Sequence, residues 1–587
     1  MELLKSEVQP IVEKAVQGLG IDPSLVGRML QSTRELDQGD LSLPCFPFAK
    51  MLGKAPADIA EAIRAAMPEH EAIGEVGAVN GYLNVRASTV WLADRLLKNG
   101  VSHTDERQSR EVLIEHTSAN PNGPFHVGRA RNAILGDSLV RLHRLWGDDV
   151  TAEYYVDDMG KQVAVLAWAL ENMDGAEVEA LLSDREPVNP QWSQKADHQR
   201  VRWYQAAQRR RQDDANAADI EKAIGSLVHA SEHGDQAVLD AFEQAYQPVL
   251  DGMLETLGRL GIQFDRFTKE SMFVTNGDVA ELMSQLGQLD INGVADNGAQ
   301  YLDLGQRGLK GKTEFFYRRG DGSSLYATRD IAYHRWKWTQ CSALINVLGE
   351  DHKLQAQQVG LTLEELGERR PEVMFYSFIK LPEGKMSTRR GNVVFMDDLL
   401  EEAHAHAVEV LRERRPDLGS EAMDAIAEAV GTSAVRFNIV SVSPEKGFTF
   451  RWEDALSFEA GSAPFIMYSH TRACSIRRRV LEHDDGFSKP FSAEAQHDVE
   501  PPPGLVQLLR TLAVHDDRLA KVVREHRPNL FAEYLLNLAT AYNSFYRDCY
   551  IIENGEVNPF YFAISELART TLKAGMEGLG IVPLESM

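Results

Sequence analysis

Cysteine is scarce in this sequence: Cys45, Cys341, Cys474 and Cys549 are the only four in 587 residues, and they lie far apart. None forms a CxxC pair or stands at a Cys/His spacing that suits zinc. A disulfide framework and a zinc module are thereby excluded, and reduced structural thiols in a cytoplasmic protein are the expectation. Long apolar runs are missing too. No stretch reaches the roughly 18 consecutive apolar residues needed to span a bilayer, and Glu2, Lys5 and Glu7 interrupt the start of the chain where a secretory signal would be apolar. Neither secretion nor a membrane partner is expected. Positive charge is also in deficit: 62 Lys and Arg face 87 Asp and Glu, for a net charge of −25. Such a chain does not coat DNA by bulk charge, and DNA is not an expected partner, although a local basic track can still hold phosphates.

What is present is material for three or four domains. Residues 1–105 read as a small α/β domain. Residues 5–18 have helical spacing, Pro56 to Met67 places Ile59, Ile63 and Met67 at intervals of four behind a helix-starting proline, and Val79 to Ala87 alternates like a strand. A short amphipathic segment ends at Gly100, and His103 to Arg110 is the linker. Residues 106–456 form a second unit that opens with a strand at Glu111–His116, a turn-rich loop at Thr117–Pro124 and a long helix at Gly128–Trp146. This is how a nucleotide-binding α/β unit begins. A second strand follows at Thr151–Val156. Residues from about 174 to 250 are polar and helical in spacing, as an insertion within that unit. Strand signals resume at Glu314–Arg318, Ala343–Leu348 and Val373–Ser377. Residues 457–587 are almost wholly helical and fit a bundle of four or five helices.

Two distant segments carry chemistry. In PNGPFHVGR, Pro121 to Arg129, glycines and prolines shape a tight exit from the first strand, and His126 falls just before a helix. Unpaired amides at a helix N-terminus attract anionic phosphate, which a histidine there can also meet, and Gly128 lets a flat ring lie against the backbone. Taken alone, His126 reads equally as an ordinary cap histidine. In KMSTRRGN, Lys385 to Asn392, a lysine, hydroxyl and amide groups and two arginines suit a loop that closes over phosphates. Taken alone, this is also readable as a solvated basic loop.

Together the two segments resemble the paired signatures of class I aminoacyl-tRNA synthetases, HIGH and KMSKS, here HVGR and KMSTR. The surrounding words are similar to the arginyl-tRNA synthetase family: SANPNGPFHVG at Ser118, RNAILGD at Arg131, YYVDDMGKQ at Tyr154, DGSSLYATRDIAYH at Asp321 and YSHTRACSI at Tyr468. The resemblance covers essentially the whole chain. It implies a Rossmann-like α/β catalytic domain between a small N-terminal α/β domain that contacts tRNA and a C-terminal all-helical anticodon-binding bundle. It further implies activation of L-arginine with ATP, Mg²⁺ arriving with the ATP and no metal site in the protein, followed by transfer to tRNA(Arg). tRNA is needed before the first step in this family, whose members are commonly monomeric.

The site residues follow from the same resemblance. His126, Arg129 and Lys385 are the expected catalytic groups, and Pro124, Gly128, Asn132, Met386, Ser387 and Arg389 the nucleotide contacts. Tyr326 and Asp330, four apart on a helical turn, can bring a phenol and a carboxylate to one guanidinium, with Gln358 as the third reader beside its near neighbours Gln355 and Gln357. Ser118, Asn120, Tyr155 and Gln162 are expected at the substrate's ammonium and carboxylate. Arg472, Arg477 and Arg478 form a local positive cluster for tRNA, while Tyr542, Phe545 and Tyr546 either stack on loop bases or pack in a core. Three departures stand out. Arg129 occupies the place of the second signature histidine, Thr388 that of the second lysine, and Gly123 the position where a compensating lysine is expected. Asp157 also replaces the family's usual asparagine.

Overall fold

The computed structural model describes residues 1–33, 38–102, 107–185, 187–213, 216–380, 394–457, 461–483 and 500–587. Near the N-terminus the helix Glu2–Gly18 buries Leu4, Val8, Val12, Ala15 and Val16, a stripe at helical spacing. It belongs with a four-stranded antiparallel sheet in the order Gln31–Ser32, Leu41–Pro44, Tyr82–Ala87, Ile73–Val79. The single strand expected over Val79–Ala87 is instead a hairpin. Asn80 and Gly81 take φ of 52° and 83°, the pair of left-handed conformations that a tight turn demands, so the chain reverses there. The helix Thr89–Asn99 closes the unit: the Ser88 hydroxyl accepts from the Trp91 amide at its start, and Gly100 ends it at φ 73°.

The central sheet has five strands in the order Glu372–Tyr376, Ala343–Gly349, Glu111–Glu115, Asp149–Val156, Arg266–Lys269. All neighbours run parallel. Strand Glu111–Glu115 buries Val112, Leu113 and Ile114 in succession, as a strand covered on both faces must. The order reverses at this strand, since the chain builds outward to Asp149–Val156 on one side and returns later to Ala343–Gly349 on the other. A crevice therefore opens at the carboxyl ends of Glu111–Glu115 and Ala343–Gly349, where open α/β sheets bind ligands. The helix Val127–Trp146 packs across the sheet and is pinned by buried Asp137, which accepts from Arg141 at 2.7 Å and from fully buried Arg436. Strand Glu314–Arg318 lies outside this sheet, paired antiparallel with Gln300–Asp303.

Helices Gly175–Leu181, Ala196–Asp213, Ala217–Glu232 and Gln236–Arg259 make up the inserted region and pack on Lys161–Asn172 and on one another. The C-terminal part consists of Ala463–His483, Pro503–Ala513, His515–Glu525, Asn529–Asp548 and Pro559–Gly578, with a small hairpin turning at Asn554–Gly555. Among the described residues no helix is long and apolar enough to cross a membrane.

Candidate active site

Where the strand Glu111–Glu115 ends, Thr117 and Ser118 take φ of 69° and 38°, left-handed values that cost a β-branched residue about 1–3 kcal/mol. The surroundings hold them there. The Thr117 amide donates to Asn132 Oδ1 at 2.7 Å, and the Tyr155 amide donates to Ser118 Oγ at 3.1 Å. Strain maintained in this way turns the loop over the crevice and brings Ser118 and Asn120 to its wall.

The crevice is a cavity of about 650 Å³. His126, Gly128, Arg129 and Asn132 line one part of it, around the N-terminus of Val127–Trp146. Burial, reinforced by neighbouring Arg129, lowers the His126 pKa to about 4, so the imidazole is neutral at physiological pH and offers one N–H. A Cβ on Gly128 would lie 3.0 Å from His126 Nδ1, so a side chain there would displace the histidine. Asn132 reaches the wall, but its amide is committed to backbone: Nδ2 donates to the Val347 carbonyl at 3.0 Å. It joins two strands at the mouth of the crevice. Pro124 does not line the cavity. Lys385, Met386, Ser387 and Arg389, with Thr388, lie outside the described residues. The chain on the far side of that segment is described, and it is stitched to the first signature: the Val127 amide donates to the Val394 carbonyl at 3.0 Å, and His126 bridges Phe395.

The other part of the cavity is acidic. Tyr326, Asp330 and His334 share one face of the helix Tyr326–Trp338, and Glu115 approaches from the end of its strand. Burial alone would raise the Asp330 pKa, but His334, Lys337 and Gln355 overcome it and hold the carboxyl below its usual range. Gln358, expected as the third reader, is not on the cavity wall. Gln355 lines the cavity and its Nε2 lies 3.3 Å from Asp330 Oδ2, whereas Gln358 points away and donates to the Lys312 carbonyl. Three residues turn a helix through about 300°, which leaves the two side chains about 60° apart, and helix Lys353–Glu365 brings its 355 position to the wall.

Tyr155 lines the cavity stacked on Tyr333, with ring centroids 4.1 Å apart, and Asp157 is on the wall as well. Burial raises the Tyr155 phenol far above its ordinary value, so it is a neutral group. Gln162 is not on the wall. Its Oε1 accepts from Asn120 Nδ2 at 3.0 Å and Asn122 Nδ2 at 2.9 Å, so it orients the loop rather than the ligand. Sequence reasoning missed Glu115. The signal was its place as the last residue of the first parallel strand, where α/β sheets present side chains to ligands.

The inserted region meets the site from behind. A Cβ on Gly123 would stand 2.6 Å from Val201 Cγ2, so the helix Ala196–Asp213 fills the space that a lysine at 123 would need. Asp197, His198 and Asp397 bring ligand-type atoms within 4.8 Å of one another. Lys195 neutralises that group, with Nζ 2.7 Å from Asp397 Oδ2 and 3.5 Å from Asp197 Oδ2.

In the C-terminal bundle, the Arg472 guanidinium lies 4.9 Å from the Tyr468 ring centroid and 4.8 Å from that of Tyr546. A second cavity of about 300 Å³ opens there, lined also by Arg478 and Arg479. Arg477 pairs with Glu566 at 3.2 Å, and Arg478 donates to the Glu585 carbonyl. Tyr542 and Phe545 are core residues with no exposed surface, while Tyr546 keeps 36% of its own.

Residues 92–452 match the family described as tRNA synthetases class I (R), catalytic domain, residues 3–87 the arginyl tRNA synthetase N terminal domain, and residues 466–587 the DALR anticodon binding domain. The chain belongs to the arginyl-tRNA synthetase family. It is 41% identical over 551 residues to the arginine–tRNA ligase of Methanocella arvoryzae, covering 93% of each chain. It is 38% identical over 563 residues to that of Archaeoglobus fulgidus, covering 94% of this chain and 96% of the other. The Thermus thermophilus arginyl-tRNA synthetase structure shares the fold, with a TM-score of 0.78 at 24% identity over 99% of this chain and 100% of that one. Arg129 and Gly123 lie in the segment matching the catalytic domain, and Tyr468, Arg472 and Tyr546 lie in the segment matching the anticodon binding domain.

Proposed function

We propose that this arginine–tRNA ligase carries out both of its half-reactions in the 650 Å³ cavity, with the amino acid at the Glu115–Asp330 end and ATP at the His126 end. The observation that carries this reading is the division of one cavity into two chemistries. Two carboxylates, a phenol and an amide converge at one end, and a helix N-terminus with a neutral imidazole lies at the other.

An arginine side chain is a planar fork of N–H donors, and paired carboxylate oxygens answer it in a way that a lysine ammonium cannot exploit. Asp330 and Glu115 supply those oxygens, Tyr326 and Gln355 complete the plane, and Ser118, Asn120 and Tyr155 lie within the same cavity for the α-ammonium and carboxylate. One arginine carboxylate oxygen attacks the α-phosphorus of ATP. The new O–P bond forms as the bond to the bridging oxygen of pyrophosphate breaks, giving arginyl-adenylate. A terminal ribose hydroxyl of tRNA(Arg) then attacks the acyl carbon, AMP leaves with the electron pair of the C–O bond, and the hydroxyl proton passes to the departing phosphate. No protein nucleophile is required, and positioning with stabilisation of phosphate charge is the catalytic contribution.

In this reading His126 donates to a phosphate oxygen, Arg129 places a permanent positive charge beside it, and Lys385 with Ser387 and Arg389 completes the charge from the second signature. Mg²⁺ enters as part of the ATP substrate. The N-terminal domain over 1–105 and the bundle over 457–587 hold the tRNA elbow and anticodon, the latter through Arg472, and the working form is a cytoplasmic monomer. The deciding experiment measures formation of aminoacyl-tRNA with ATP, Mg²⁺ and tRNA for each of the common amino acids. Charging with arginine alone is expected. Charging with lysine or glutamate would sink the assignment, and tRNA binding without any arginyl-tRNA formation would make the chain a non-catalytic relative.

A further inference from the structure

Behind the two carboxylates that face the amino-acid end of the cavity sits Lys337, whose side chain has no exposed surface. An ammonium has three N–H donors and no acceptor. All three are used: Nζ donates to Glu115 Oε2 at 2.6 Å, to Asn346 Oδ1 at 3.0 Å and to His334 Nε2 at 3.2 Å, and the ammonium also lies 4.1 Å from the Tyr333 ring centroid. His334 Nε2 receives a second donor, Asn346 Nδ2, at 2.7 Å. A nitrogen that accepts twice carries no proton, so the imidazole proton is on Nδ1. That atom faces Asp330, 2.8 Å from its carbonyl and 3.1 Å from its Oδ1. One continuous chain of hydrogen bonds thus runs from Glu115 through Lys337 and His334 to Asp330.

Taking an ammonium out of water costs several kcal/mol unless its partners repay it. Of the other charges close to the pocket, Asp157 stands on the wall beside Glu270 with its Oδ1 buried and unpartnered among the described residues, and Glu153 and Glu270 have partners on other elements. Glu153 accepts from Arg266 and Thr268, Glu270 accepts from Arg329, and Tyr155, Tyr326 and Tyr333 are neutral phenols. At the cavity wall Asp351 lies 3.7 Å from His352, and Ser118 Oγ donates to Glu115 Oε1 at 3.1 Å. Glu115 and Asp330 are left with Lys337 as their common internal counter-charge.

Resting on the reading of this cavity as the arginine site, we infer that Lys337 is a positioning and specificity-determining residue for the amino-acid substrate. It holds both carboxylates in place, donating to Glu115 directly and reaching Asp330 through His334, and supplies the positive charge that the two share inside the protein. His334 transmits that hold to Asp330. Without the ammonium, Glu115 and Asp330, both on the cavity wall, lose the positive charge they share, and Asp330 loses one of the groups that hold its carboxyl below the usual range.

The test is steady-state arginine charging across pH by the full-length wild-type protein and by Lys337→Met, Lys337→Arg and His334→Gln. Lys337→Met is expected to raise the KM for arginine at pH 7 at least about tenfold and to move the acidic limb of kcat/KM for arginine upward by about one pH unit, with the KM for ATP unchanged. Lys337→Arg keeps the charge and is expected to hold the limb near its wild-type position, even where its bulk slows turnover. If the buried lysine only filled space, the order would reverse, with the apolar methionine the milder change, and that result overturns the inference. A KM for arginine and a pH limb identical to wild type in Lys337→Met overturn it as well. Should Lys337→Met not accumulate as folded protein, His334→Gln decides, because it leaves the ammonium in place: a raised KM for arginine at unchanged KM for ATP supports the relay, and an unchanged KM overturns it. Failure of the wild-type protein to charge arginine would sink the proposed function itself, an outcome distinct from all of these.

Discussion

His126 and Phe395 face each other across an antiparallel bridge, flanked by the Val127 amide on the Val394 carbonyl and, at 2.7 Å, the Met396 amide on the Phe125 carbonyl. Backbone, not side chain, thus fixes the first signature against the chain that leaves the second. His126→Ala therefore removes the proposed phosphate donor without opening the joint. Its melting temperature is expected to stay close to wild type, while arginine-dependent pyrophosphate exchange in the presence of tRNA slows about 10²-fold, the scale of one lost transition-state donor. Normal turnover would take His126 out of the phosphate machinery.

Burial also sets a pH dependence of stability. His116 is completely buried, stacked near Phe264, and desolvation lowers its pKa to about 4, against 6.5 for the free side chain. His126 is lowered to about 4 as well. Between these values the unfolded chain binds more protons than the folded one, so stability is complete above pH 6.5 and falls as the pH drops toward 4. Urea unfolding at pH 7, 6 and 5 should show this slope, and His116→Asn should flatten it. A slope identical in wild type and variant would show that His116 does not titrate in this way.

Asp330→Asn tests the guanidinium fork. The amide keeps the shape but removes the charge and turns one acceptor into a donor facing His334 and the substrate. Loss of a charge-paired partner in a buried setting costs about 3–5 kcal/mol, so kcat/KM for arginine should fall at least about 10²-fold with the KM for ATP unmoved. Unchanged arginine kinetics would refute the role.

Much of this was legible from residue pattern. The strand Glu111–Glu115, the helix behind His126 and the helical C-terminal bundle follow from apolar periodicity, and the signature segments needed only their neighbours to become specific. What escaped was set by contacts between distant segments. Gln355 and Gln358 are indistinguishable until the rotation of their helix against Asp330 is known. Gln162 reads as a ligand contact, but it lies off the cavity wall with its Oε1 accepting from Asn120 and Asn122. Lys337 and Glu115, 222 residues apart in sequence, meet only because the parallel sheet brings the end of the first strand beside a much later helix. The Asn80–Gly81 reversal, by contrast, was present as a turn dipeptide and was overridden by the alternation on either side of it.

The inserted helices are tied to the catalytic unit by charge. Asp397 accepts from Lys195, from His198 Nε2 at 2.8 Å and from Thr256 at 2.9 Å, and all four residues are buried. Lys195→Met strands that carboxylate and Asp197 with it and is expected to cost about 3–5 kcal/mol in chemical unfolding, whereas Lys195→Met with Asp397→Leu leaves Asp197 as the one stranded carboxylate of the pair and should recover part of the loss. The comparison of single and double variants by urea denaturation decides it. Equal destabilisation by both would mean that packing, not charge, makes this contact.

The sandwich of Arg472 between Tyr468 and Tyr546 gives the last expectation. The guanidinium lies over both rings and its Nη1 donates to Asn543, so the group is held in place before any ligand arrives. A preformed stack beside Arg478 and Arg479 suits an unstacked base or a loop phosphate. Arg472→Ala should raise the KM for tRNA about tenfold, leave the KM values for arginine and ATP unchanged, and weaken the dependence of tRNA binding on salt. Arg472→Lys keeps the charge but not the plane, so it should restore the salt dependence without restoring the affinity. If lysine restored both, the group would be acting as a point charge and the two tyrosines would be scaffolding only.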